Sequence, residues 1–151
     1  LYGVVSFIAE FWNTLSNVFF ILLALNRLLC WQEKWAPLMM EPDHSWNTIY
    51  MLYQLMFCAG FASGFHHGYL KWWTIYVDWL PISASLVLLF LNAHLLWLIS
   101  YWSWGLISFA FTILLLDHLH VLPNPAGHSL WHVMIAVALD SSYQDMLYSF
   151  L

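Results

Sequence analysis

Residues 80–116 read LPISASLVLLFLNAHLLWLISYWSWGLISFAFTILLL, 37 positions with almost nothing polar. At 1.5 Å per residue a single helix of that length would measure about 55 Å, against a hydrocarbon core of about 30 Å. One span cannot hold it, so the stretch predicts two helices that break near Ser100 to Gly105. Trp97, Tyr101, Trp102 and Trp104 gather at that break, as aromatic residues do at a membrane–water interface.

Working outward, the first apolar run covers about Val4 to Cys30 and is interrupted by Glu10, Asn13, Asn17 and Asn26. A loop from Trp31 to Ser45 carries Pro37 and Pro42, and a second helix is expected from about Trp46 to His67. A short segment through Lys71 leads to Asp78 and Pro81. Beyond the central stretch, a loop from Asp117 to Gly127 holds Pro123 and Pro125. A last helix starts at about His128 and has only about a dozen apolar residues before Asp140, short against the roughly 20 of a span. The expectation is one domain over 1–151, an all-α, multi-pass transmembrane bundle of about five helices, with no internal repeat.

Composition agrees. The chain is 63% hydrophobic and 7% charged, whereas soluble domains carry about 25% charged residues. A formal charge of −5 excludes the basic stripe that nucleic acid calls for. Cys30 and Cys58 make no CxxC spacing and read as small buried hydrophobes. No basic segment precedes the first apolar run, which is too long for a signal-peptide core. The sequence starts at Leu1 rather than Met, which suggests a processed product or a fragment.

Following the chain back and forth through five crossings brings Glu10, Ser63, His66, His67, Asp78, His128 and His132 to one membrane level. Ionisable side chains inside a membrane are costly, so they are candidates for function. His128 and His132, in Gly127-His-Ser-Leu-Trp-His132, have the i, i+4 spacing that puts both imidazoles on one helical face, where a zinc ion can be held. The same spacing also suits two histidines that simply rest at the interface. A third histidine would complete a three-ligand catalytic zinc site with a fourth position open to water. His66 and His67 compete for that place on spacing alone. Asp78 could take the water's proton or orient a ligand, and Ser63, one turn before His67, could hydrogen-bond an oxyanion. The plainer readings are a helix-capping aspartate ahead of Pro81 and a helix-packing serine. Asn13 and Asn17, one turn apart, read as packing glue. Asp117, His118 and His120 read as interfacial solvation.

Three segments carry a resemblance. Ser6-Phe-Ile-Ala-Glu10-Phe-Trp-Asn-Thr-Leu-Ser-Asn17 resembles the first-helix signature of the alkaline ceramidases. Ser63 with His67-Gly-Tyr-Leu-Lys71 and Asp78-Trp-Leu-Pro81 is similar to that family's second motif. His128 to His132 is similar to its third, H-x-x-W-H. The resemblance implies an intramembrane zinc amidase that cleaves ceramide to a sphingoid base and a fatty acid, located in the endoplasmic reticulum or Golgi. It implies His67, His128 and His132 as zinc ligands, His66 without a role, and Asp78 and Ser63 attending the reacting water. Glu10's counterpart belongs to a calcium site whose other ligands lie just upstream. That acidic stretch is absent here, so Glu10 stands as a remnant of a calcium site. The family has seven helices, so two central ones are expected to be missing. Progestin and adiponectin receptors share the zinc histidines, which leaves a lipid-responsive receptor, or an inactive shortened form, as alternatives. Arg27 and Lys34 beside the first loop, against Lys71 on the other side, put that loop in the cytoplasm by two residues to one.

Overall fold

The computed structural model describes residues 10–34, 44–122 and 126–150, and these form helices and turns with no strand among them. Six α-helices follow one another: α1 (Phe11–Ser16), α2 (Val18–Lys34), α3 (His44–Tyr69), α4 (Thr74–Leu91), α5 (Tyr101–His118) and α6 (Ala126–Tyr148). A 3₁₀ segment, Ala93–Leu98, joins α4 to α5. The protein is an all-α bundle. The continuous run Phe11–Trp31, together with Trp46–Tyr69 and Thr74–Leu91, is long and apolar enough to cross a membrane, and the chain is a membrane protein.

The centre of the bundle is built from α2, α3 and α6, with α1 wedged between α3 and α6. Phe20 and Ala24 of α2 meet Ile49, Leu52, Tyr53 and Met56 of α3 and Ala136, Tyr143 and Met146 of α6. Helices α4 and α5 flank this core, α4 packing chiefly on α3 and α5 chiefly on α6. Their outer faces are unpartnered: Phe90 is 81% exposed and Leu91 73%. Burying such a face is worth about 25 cal/mol per Å², and lipid covers it in a membrane protein.

Several expectations about element boundaries shift. Residues 4–9 of the first run lie outside the described residues, and from Phe11 it forms α1 and α2, which meet at Asn17. There the Ser16 hydroxyl and the Asn17 amide both donate to the Asn13 carbonyl, at 2.9 Å and 2.8 Å. Side chains that bond back to the preceding turn bend a helix in this way. The central break falls earlier than Ser100 to Gly105. Asn92 ends α4 by donating its side-chain amide to the Leu88 carbonyl at 2.9 Å. Ser100 then caps α5, accepting from the Ser103 N–H. Trp97, 91% exposed, and Tyr101, 97% exposed, stand out from that break. His94 lies in the 3₁₀ segment. Asp78 is not a helix cap, because α4 already begins at Thr74 and carries Pro81 inside it. Cys58 is exposed, not buried.

The last helix runs 23 residues, straight through Asp140 and Asp145. Both carboxylates are satisfied internally, which a low-dielectric setting demands. Asp140 accepts from Arg27 Nε and Nη2, each at 3.0 Å, from Tyr53 at 3.2 Å and from Gln144 at 3.0 Å. Asp145 accepts from the Ser100 N–H at 3.0 Å and from the hydroxyls of Ser100 and Ser103, tying α6 to the start of α5. Arg27 thus belongs to an internal pair. It no longer counts as a free cation beside the loop, and the charge balance that oriented the chain disappears.

Candidate metal centre

Two helix ends supply the ligands. His67 is two residues from the end of α3, while His128 and His132 occupy the first turns of α6. Each of the three offers a nitrogen, and these nitrogens lie within 4.8 Å of one another. Ring centroids are 5.1 Å apart for His67 and His128, 5.0 Å for His67 and His132, and 4.7 Å for His128 and His132. His67 and His132 are buried.

The second nitrogen of each ring decides what the cluster can hold. His67 Nδ1–H donates to Glu10 Oε2 at 2.6 Å. His132 Nδ1 lies 2.9 Å from Ser16 Oγ, whose own hydrogen goes to the Asn13 carbonyl, and 3.3 Å from Asn17 Nδ2. His128 Nδ1 lies 3.3 Å from Asp117 Oδ2. An oxygen lies within 3.3 Å of each Nδ1, which favours Nε2 as the atom each ring offers to a metal. Metal-ligating histidines have this arrangement, because an acceptor on one nitrogen fixes the tautomer and aims the other. The donor set therefore fits a divalent ion that favours imidazole, zinc first among them.

Glu10 also binds His67 through the backbone, its N–H donating to the His67 carbonyl at 3.1 Å. Asn13 Nδ2 donates to Glu10 Oε2 at 2.9 Å, and Asn13 Oδ1 accepts from Ser129 of α6 at 2.7 Å.

Of the residues singled out by sequence, His67, His128 and His132 come together, and Glu10 joins them. His66 does not: its Nδ1 bonds Thr74 Oγ1 at 2.8 Å, bracing the turn between α3 and α4. Ser63 is buried on α3, one turn before His67 and on the same face. Asp78 makes no hydrogen bond to the three histidines among the described residues, and its Oδ1 is buried without a hydrogen-bond partner. Sequence reasoning missed Ser16 and Asp117. The polar stripe Glu10, Asn13, Ser16 and Asn17, at helical spacing in an apolar run, is the signal that could have found the first. Asp117 gave no such signal, since only the fold brings the end of α5 to the start of α6. Comparisons with protein-family models, curated proteins and solved structures give no significant match.

Proposed function

We propose that this chain is a zinc-dependent amide hydrolase of the membrane, acting on ceramide in the manner of the alkaline ceramidases it resembles. The observation that carries the reading is the convergence of three histidines within 4.8 Å, each with an oxygen within 3.3 Å of its Nδ1. Structural zinc sites close all four positions with protein ligands, whereas three ligands leave one position for the reaction. When bound, zinc supplies Lewis-acid polarisation of a carbonyl and an activated water at neutral pH.

The chain's own residues do the rest. Asp78 has a buried oxygen without a hydrogen-bond partner among the described residues, and the resemblance assigns it the role of general base. In this mechanism it takes the water's proton at Oδ1 and delivers it to the leaving amine. The Ser63 hydroxyl donates to the oxygen that gains charge as the amide carbon becomes tetrahedral. Because the ligands lie at helix ends, the centre sits near one face of the bundle. Exposed Tyr69, Trp72 and Tyr76 mark that face as the interfacial level. An amide at headgroup depth, with two hydrocarbon chains left in lipid, is the substrate that suits it. We read α1–α2, α3, α4, α5 and α6 as five crossings, and place the protein in the endoplasmic reticulum or Golgi on the resemblance.

The test is zinc content and ceramide hydrolysis by the detergent-purified chain, beside His128→Ala and His132→Ala. About one zinc per chain with fatty acid release, both lost in the variants, supports the reading. Hydrolysis retained by His128→Ala would defeat it.

A further inference from the structure

We propose that Glu10 is a positioning residue of the metal centre, acting on the metal through His67, and not a calcium ligand. The inference rests on the zinc reading above and adds an anionic support to it. Glu10 grips one residue at two points, its N–H on the His67 carbonyl at 3.1 Å and its carboxylate on the His67 ring at 2.6 Å. A ring held at backbone and side chain cannot rotate its Nε2 away from the cluster. Glu10 is itself anchored by Asn13, which bonds Ser129 beside His128 on α6. One side chain on α1 thus registers the α3 ligand against the α6 pair.

Charge argues the same way. A divalent ion on three neutral imidazoles would put two positive charges into a partly buried, low-dielectric site, a cost that unpaired ions do not survive. Glu10 on His67 and Asp117 on His128 bring two negative charges, each one imidazole away. A carboxylate behind a ligating histidine also makes the ring a stronger donor. Calcium needs six to eight oxygen ligands. Glu10 Oε2 instead accepts from two N–H groups, of Asn13 and His67, which occupy that oxygen.

The experiment is a zinc competition titration against a chromophoric chelator, using the full chain, Glu10→Gln, Glu10→Ala and His128→Ala. Visible spectra of the cobalt-loaded proteins accompany it, because a cobalt spectrum reports ligand geometry in folded molecules only. Zinc affinity should fall by about 10–100-fold in Glu10→Ala. It should fall less in Glu10→Gln, which keeps an acceptor for His67 but not the charge. The cobalt bands should shift in both, and millimolar calcium should leave the unsubstituted chain's zinc affinity unchanged. Tight zinc binding by the unsubstituted chain, with equal affinity and an unchanged cobalt spectrum in both Glu10 variants, would overturn the positioning role and leave the zinc reading intact. Competition between calcium and zinc in the unsubstituted chain but not in Glu10→Ala would overturn it too. Failure of the unsubstituted chain to bind zinc, or equal binding by His128→Ala, would overturn both readings.

Discussion

A Cβ added at Gly127 would stand 2.5 Å from Asp117 Oδ1 and 3.0 Å from the Cβ atoms of Asp117 and Leu122. Glycine there lets the end of α5 close on the start of α6 and bring its carboxylate to His128. Gly127→Ala should therefore push Asp117 away and cost about 1–3 kcal/mol of stability, the usual penalty of overpacking. Thermal unfolding and zinc titration of that variant should both move, whereas only the zinc titration moves if Asp117 swings aside without strain. Leu70 shows the converse. It ends α3 at φ 46, where its N–H bonds the His66 carbonyl at 2.7 Å. A leucine in that left-handed position is strained by roughly 1–2 kcal/mol. Leu70→Gly should raise stability by about 1 kcal/mol, and a lower unfolding midpoint would mean that the leucine's packing outweighs its backbone. At this scale the sequence was most informative about ligands. The i, i+4 pair at His128 and His132 was plain from spacing, whereas spacing left His66 and His67 competing until the resemblance favoured His67, and the fold turns His66 to Thr74.

Helices α2 and α3 approach closely because Gly60 leaves room. A side chain there would meet Ile21 Cγ1 at 2.7 Å and Phe20 Cβ at 2.9 Å. Small residues permit such approach between membrane helices. Gly60→Leu should separate the pair and shift the detergent-unfolding curve down by at least about 1–3 kcal/mol. A second element-level contact is ionic. Asp140 is nearly buried and Arg27 is about a third exposed, at side-chain exposures of 10% and 35%. Removing one partner of a buried pair costs about 3–5 kcal/mol, and Arg27's exposure lowers that to about 2–3. Arg27→Met should show this loss, and Arg27→Met with Asp140→Leu should recover much of it, as a double-mutant cycle in unfolding would report. The existence of apolar helices was legible in the sequence, but their ends were not. Asn92 and Ser100 set the central break through side-chain bonds to nearby backbone, and hydropathy does not register those. Asp140 looked like the end of a span because its partner lies 113 residues earlier.

Taken whole, the bundle meets at the histidine cluster through four of its helices, since the three rings and their supports come from α1, α3, α5 and α6. Zinc should therefore act as a tie for the entire molecule. At a free zinc concentration 1,000 times its dissociation constant, linkage predicts about 4 kcal/mol of added stability. Stripping the chain with a chelator should lower its unfolding midpoint, and the His128→Ala variant should be indifferent to the same treatment.

The contact between Ser16 and His132 spans 116 residues of chain, and its consequence concerns birth rather than catalysis. Ribosomes add about 5–20 residues each second, so α1 waits roughly 6–23 s for the helix that carries its partner. During that interval the polar stripe on α1 has no histidines to hold and must be sheltered by the insertion machinery or by α3. On the zinc reading, loading follows the emergence of α6, which carries two of the three histidines.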